Sequence, residues 1–140
     1  ARTFRSPRNF PAMTVFENIL VSVEQSIYRR SSSWWPFLDK AKCIERTEEL
    51  IRSVGLVDQS FLFASGLTRY EQRCLEIARG LATDPRLLLV DEPAYGMSSQ
   101  EQLALANLLK EVCGGTLTLV VTSVGSDPFT LICDRVVHLS

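Results

Sequence analysis

Charge of one sign is what this sequence lacks most. Its 15 Lys and Arg balance 16 Asp and Glu, leaving a net charge of −1 over 140 residues. Without a basic excess there is no electrostatic footprint for nucleic acid, so no nucleic-acid partner is expected. Arg2, Arg5 and Arg8 form a small basic cluster that reads as a solvated loop. Histidine is nearly missing: His138 stands alone, in an apolar run near the C-terminus. No G-x-S-x-G turn accompanies it, so no Ser-His hydrolase pair is evident. Cys43, Cys74, Cys113 and Cys133 are far apart, with no C-x-x-C. They read as small buried hydrophobes in a reducing compartment rather than as ligands or disulfides. No metal-ligand cluster stands out. No apolar run reaches the ~20 residues a membrane span needs, and the first residues hold no apolar signal core. Internal repeats and low-complexity linkers are lacking too. The chain begins with Ala rather than Met, which fits a processed product or a fragment.

What is present is organised around Arg86-Leu87-Leu88-Leu89-Val90-Asp91-Glu92-Pro93. A short apolar run without alternation predicts a strand over 86–90, buried on both faces as in a parallel sheet. Such strands deliver their last residues to the face where α/β proteins bind ligands. Asp91 there could hold a magnesium ion, directly or through water. Glu92 could orient a water that attacks a phosphate. The plainer reading of the same residues is a strand followed by an acidic turn, with Asp91 hydrogen-bonding that turn.

Around the strand the chain reads as helices with their starts written in. Thr14 with Glu17, Thr68 with Glu71 and Ser98 with Glu101 each form a Ser/Thr-x-x-Glu capping box. They predict helices over about 14–29, from 68 to about 83, and from 98 over Leu103, Leu105, Leu108, Leu109 and Val112. A further helix over about 38–53 should turn Ile44, Leu50 and Ile51 inward and end at Gly55. Residues 2–5 read as a strand end, and Asp58 can cap a short turn through about 63. Residues 117–122 are predicted as a buried, β-branched strand, 126–133 as a short helix and 135–139 as a last strand. The loop at Ser31–Phe37 carries Trp34 and Trp35, which either cover neighbouring helices or meet a partner. Strands alternating with helices imply an α/β fold with a parallel sheet.

Three stretches in order resemble the ATP-binding subunits of ABC transporters. Leu75-Glu76-Ile77-Ala78-Arg79 leading to Pro85 is similar to the family's signature helix, "LEIARAL…P". The run ending Asp91-Glu92-Pro93 is similar to its Walker B strand, "LLLLDEP". Arg2-Thr3-Phe4-Arg5 with Phe10-Pro11-Ala12-Met13-Thr14-Val15-Phe16-Glu17-Asn18 is similar to "RTFQ…FPGMTVLENV" of the branched-chain amino acid importers. The resemblance runs from Arg2 to about Leu139. It implies a single partial domain over 1–140: a helical subdomain at 14–83, with 1–13 and 84–140 as part of a P-loop NTPase core. It implies ATP and Mg2+ as cofactors, with Asp91 positioning the metal and Glu92 polarising the attacking water. Thr68 and Ser123 would face nucleotide. The partners implied are a membrane permease subunit and a second ATPase subunit. The implied location is cytoplasmic, at the inner face of the membrane.

Several positions depart from the family pattern. None of the seven glycines opens a G-x-x-x-x-G-K-[ST] phosphate loop, whose backbone N–H groups and lysine supply most phosphate contacts. Arg5 aligns with the family's glutamine that senses magnesium and the permease. Tyr70 replaces a signature glycine, where its ring would obstruct an opposing nucleotide, and Glu71 adds like charge. Ser123 aligns best with the switch histidine, with Thr122 as the alternative. Ser98 takes the place of an Asn or Asp in the loop after Walker B. Two functions follow as expectations. One is an ATP-binding component of a branched-chain amino acid importer, truncated and catalytically inactive by itself. The other is a non-catalytic protein-binding module, or a remnant, that keeps the fold without nucleotide chemistry. An open edge on strand 117–122 would favour self-association.

Overall fold

The fold was analysed in a computed structural model that describes residues 1–3, 8–30, 39–114, 117–123 and 128–137. Its elements run α1 (Val15–Arg30), α2 (Lys40–Ser53), α3 (Arg69–Leu81), β1 (Leu87–Asp91), α4 (Ser99–Val112) and β2 (Thr118–Thr122). Short 3-10 turns lie at Ala64–Gly66 and Pro128–Leu131.

The helices begin where local chemistry satisfies their first N–H groups. Thr14 Oγ1 accepts from the Glu17 amide at 3.2 Å, and Glu17 Oε2 accepts from the Thr14 amide at 2.8 Å. The same reciprocal box opens α3 at Thr68 and Glu71 and α4 at Ser98 and Glu101. Asp39 caps α2 by accepting from the Lys42 amide. Each cap contributes roughly 0.5–2 kcal/mol. At the other end of α2, Gly55 takes φ +71° and bonds back to the Arg52 carbonyl, a left-handed C-terminal stop that suits glycine.

Val15, Ile19 and Val23 recur at i, i+4 and i+8 and form the buried stripe of α1. That stripe packs on α2 and α3, which also pack on each other. Asn18 is fully buried among them. Its amide accepts from the Phe10 N–H and donates to the Phe10, Met13 and Thr14 carbonyls, fastening the 10–14 loop to α1. Every polar group it buries is thereby satisfied. On α2 the buried residues are Cys43, Thr47, Leu50 and Ile51. Ile44 does not turn inward as expected. It is 43% exposed, because the start of the helix sets Cys43 and Thr47 on the covered stripe, one residue out of phase with it.

β1 and β2 pair in parallel, with Leu87 opposite Thr118 and Asp91 opposite Thr122. On the other edge of β1, Arg2 makes a parallel bridge to Leu89, and the Thr3 amide donates to the Leu89 carbonyl at 2.8 Å. The strand end expected at residues 2–5 is thus found in its described part, at Arg2 and Thr3, and residues 4–5 lie outside the described residues. Leu88 and Val90 are fully buried, and α3 comes so close at Gly80 that a Cβ there would stand 3.2 Å from Leu88 Cδ1.

The strands are less covered than expected. Leu87 is 47% exposed, and β2 alternates between exposed and half-buried residues. Only the face carrying Leu88 and Val90 is fully packed by described residues. The outer edge of β2 has no strand partner among them. The expected last strand is not formed in its described part: 135–137 is irregular and exposed. Residues 138–139, with His138, lie outside the described residues, as do Arg5 and the Trp34-Trp35 loop. All four cysteines are free thiols, with Cys43 and Cys74 fully buried.

The capping boxes make the helix starts acid-sensitive. Backbone N–H groups hold the Glu17 and Glu101 carboxyls below the usual carboxylate range, through Thr14 and Ser98 respectively. A depressed folded pKa means the contribution is complete at neutral pH and is lost as pH falls through that pKa. Amide exchange at Thr14 and Ser98 is therefore expected to lose protection on acidification to about pH 3. In Glu101→Gln, the acid-induced change at Ser98 should disappear while that at Thr14 persists. Equal protection at both pH values in the unsubstituted chain would contradict the assignment.

Candidate functional site

Because side chains alternate along a strand, burying Leu88 and Val90 sends Asp91 to the opposite face at the carboxyl end of the sheet. Its neighbour across the ladder is Thr122. The Thr122 hydroxyl donates to Asp91 Oδ1 at 2.6 Å. Arg2 brings a guanidinium nitrogen to 3.6 Å from Asp91 Oδ2, so both carboxylate oxygens face groups of the chain itself. This Arg2 pair is largely solvent-exposed and worth little energetically.

Glu92 leaves the strand with φ +40°, in the left-handed region that a non-glycine residue rarely adopts. Its amide is held by Thr122, through the carbonyl at 3.0 Å and the hydroxyl at 3.2 Å. The backbone then turns: the Tyr95 amide donates to the Glu92 carbonyl, and Met97 to Ala94. Gly96, at φ +73°, lies under Arg69, the first residue of α3. A Cβ on Gly96 would meet the Arg69 guanidinium at 2.7 Å. This close approach brings the start of the signature-like helix against the loop that follows the two carboxylates.

The structure thus joins Asp91, Glu92 and Thr122, and sets α3 beside their loop. Ser123 follows Thr122 and is exposed. Thr68 caps α3, and its hydroxyl is occupied there: it donates to Glu71 Oε2 at 2.8 Å and accepts from the Glu71 amide. Tyr70 is half-buried against the core, beside Cys74. Burial pushes the Tyr70 phenol and the Cys74 thiol each up to about 12.

Sequence reasoning missed Arg73 and Glu76. Arg73 is 2% exposed on the inner face of α3, and its Nη1 meets Glu76 Oε2 at 2.6 Å. Burial lowers the Arg73 pKa, while the charges of Glu76 and Asp91 oppose that change. The available signal was an Arg and a Glu three residues apart within an otherwise apolar stripe.

A second missed feature is apolar. Phe61 is 81% exposed and Phe63 59%, with Val57, Leu62 and Phe10 also exposed nearby in the chain's helical half. The segment is not a loose turn. Leu62 and Ser60 carbonyls accept from the Val15 and Phe16 amides, Phe63 bridges Thr14, and Phe61 stacks on Phe16 with centroids 6.2 Å apart. Three consecutive apolar residues in a segment read as a turn were the sign of it.

The donors at the strand ends fit a hard divalent cation. They are carboxylate and hydroxyl oxygens, and magnesium is commonly held by one or two carboxylates with water completing its shell. No cluster of three or more His, Cys, Asp or Glu side chains suited to a metal occurs among the described residues. The same donors do not fit a nucleotide triphosphate: they are carboxylate acceptors and a threonine hydroxyl whose hydrogen already goes to Asp91, and the sequence contains no G-x-x-x-x-G-K-[ST] motif.

A family profile described as ABC transporter matches residues 1–95. The high-affinity branched-chain amino acid transport ATP-binding protein LivG of Escherichia coli (strain K12) is 33% identical over 124 residues, covering 79% of this chain and 46% of that protein. Its counterpart BraF of Pseudomonas aeruginosa is 32% identical over 119 residues, covering 79% and 46%. The chain spans about half the length of the curated relatives it matches. Among solved structures, cbiO1 from Clostridium perfringens, part of the ABC transporter complex cbiONQ, superposes with a TM-score of 0.79 at 19% identity. That match covers 96% of this chain and 50% of that one, and at such identity it speaks to the fold alone.

The buried pair gives a direct stability prediction. Glu76→Ala leaves Arg73 buried without its nearest carboxylate and is expected to cost about 3–5 kcal/mol. Glu48→Ala, which breaks the exposed contact to Arg52, is expected to cost at most about 1 kcal/mol. Urea denaturation of both variants checks the contrast, and equal losses would contradict it.

Proposed function

This chain belongs to the ABC transporter family, and from that premise we propose that it is an ATP-binding component of a branched-chain amino acid type importer, inactive in hydrolysis by itself. The observation that carries the reading is the pair Asp91-Glu92 at the carboxyl end of a parallel sheet, both tied to Thr122. Residues 14–83 form the helical subdomain, and 1–13 with 84–140 form part of the nucleotide-binding core. Asp91 holds the divalent cation, and Glu92 polarises the attacking water once a complete nucleotide site is present. Thr68 and Ser123 are the positions nearest to nucleotide. Bound Mg-ATP would supply the phosphoryl group to be transferred. The partners are a membrane permease and a second ATPase subunit, at the cytoplasmic face of the membrane.

Inactivity by itself follows from the energetics. Sub-millimolar affinity needs roughly 4–5 kcal/mol, and each missing phosphate hydrogen bond removes about 1–3 kcal/mol. Nothing among the described residues replaces the several bonds of a phosphate loop. Thr68 has its hydroxyl engaged in the helix cap, and Arg2 already stands at Asp91.

The exposed Phe61-Leu62-Phe63 segment favours a protein partner, since contiguous exposed apolar surface marks interaction sites. In the importer reading this is where the permease docks. A non-catalytic binding module would use the same surface, and the Arg2–Asp91 contact favours it mildly. The open edge of β2 is a second contact surface, for self-association.

Calorimetry at millimolar Mg-ATP is expected to show no saturable heat from the folded chain. Saturable binding that Asp91→Ala abolishes would mean that a phosphate site is rebuilt, and would contradict inactivity. Separately, Phe61→Asp combined with Phe63→Asp should release the chain from membranes that carry its permease while leaving it folded, with a stability loss of about 0.5–1.5 kcal/mol from the Phe61–Phe16 stack. Unchanged membrane retention would sink the docking surface.

A further inference from the structure

We infer that Thr122 is the positioning residue for both strand-end carboxylates, and that its hydroxyl sets the affinity of Asp91 for a divalent cation. The inference rests on the proposed cation role of Asp91. Alignment to family motifs points elsewhere: it places Ser123 at the functional position after β2, with Thr122 only as the alternative.

The geometry singles out Thr122 on three counts. Its hydroxyl hydrogen goes to Asp91 Oδ1 at 2.6 Å, a short bond to an ionisable acceptor. The same oxygen accepts from the Glu92 amide at 3.2 Å, and the Thr122 carbonyl accepts from that amide at 3.0 Å. One residue thus fixes the plane of one carboxylate and the backbone origin of the other.

These bonds have a chemical direction. The hydroxyl holds Oδ1 and leaves Oδ2 as the oxygen open to exchange, where Arg2 now stands at 3.6 Å. A cation arriving at Oδ2 therefore meets a carboxylate already oriented, and has only an exposed guanidinium to displace. Threonine suits the task because its β-branching limits χ1 to few rotamers, so the hydroxyl is not free to swing away. Glu92 gains as well. Its left-handed backbone, at φ +40°, is held against the end of β2 by the bifurcated bond from its amide. Without the hydroxyl, one of the two acceptors is lost, and the Asp91 carboxylate can rotate about χ1 and χ2.

Manganese serves as the probe, a hard divalent ion read directly by electron paramagnetic resonance. Mn2+ is titrated into the 140-residue chain and into Asp91→Asn, Thr122→Val, Thr122→Ser and Thr118→Val, with a urea midpoint for each. The unsubstituted chain is expected to bind Mn2+, and Asp91→Asn to lose that binding. Thr122→Val should weaken it about tenfold or more, the usual effect of removing a hydrogen bond to a metal ligand. Thr122→Ser should restore it to within about threefold, and Thr118→Val, at the far end of the same strand opposite Leu87, should leave it unchanged. A purely structural Thr122 would move the urea midpoint while Thr122→Val, when folded, bound Mn2+ as before. That result overturns the inference and leaves the cation reading standing. Absence of Mn2+ binding in the unsubstituted chain, or binding indifferent to Asp91→Asn, overturns the cation reading and the positioning role with it.

Discussion

The register between β1 and β2 is the constraint on which the rest of the site depends. In a strand, a slip of one residue exchanges the two faces. Leu88 and Val90 are fully buried on one face, and Gly80 of α3 sits almost in contact with Leu88. A slip would expose both aliphatic side chains at roughly 1.5–3 kcal/mol each, and would bury Asp91 against α3. The hydrophobic term thus locks the ladder, and the locked ladder puts Asp91 opposite Thr122. The polar contacts at the strand ends are consequences of that packing and contribute little to it.

From the same lock the surrounding parts take their places. Glu92 leaves the strand in a left-handed conformation, the chain turns over 93–97, and Gly96 allows Arg69 to lie across the turn. Helix α3 is thereby tied to the site at its start, through Arg69. Burying Arg73 is costly, and Glu76, one turn on in the same helix, offsets that cost in a low-polarity setting. The helix that resembles the family signature is held by apolar packing and begins at a capping box.

What was legible in the sequence was local. The boxes at Thr14, Thr68 and Ser98 could be read because a cap needs only residues three apart. The strand at 87–91 and its two carboxylates could be read because aliphatic runs and acidic ends are contiguous. What was not legible depends on contacts distant in the chain. Nothing near Ile44 says that Cys43 and Thr47 will take the covered stripe. Nothing in 117–122 says that only half of the strand will be covered, and nothing in 135–137 says that no strand will form there. Arg2 meets Asp91, and Thr122 meets Glu92, only once the sheet is assembled. Family resemblance carried the fold, and it is the source of the roles proposed for Asp91 and Glu92. It also drew attention to Ser123, whereas the bonds converge on its neighbour.

The emerging picture is a nucleotide-binding fold in which the acidic end of the sheet is organised and the triphosphate cradle is not supplied by these residues. An ordered pair of strand-end carboxylates, proposed as a cation position, an apolar surface at 57–63 and an open edge on β2 are what the described residues offer to partners. The measurement that bears most directly on this is anomalous diffraction from a crystal of the chain soaked in Mn2+. A peak is expected against Asp91 Oδ2, with the Thr122 hydroxyl still on Oδ1 and Arg2 displaced. An empty strand end at high Mn2+, with Arg2 still against Asp91, would contradict the prepared site and leave the acidic turn as a structural feature of the fold.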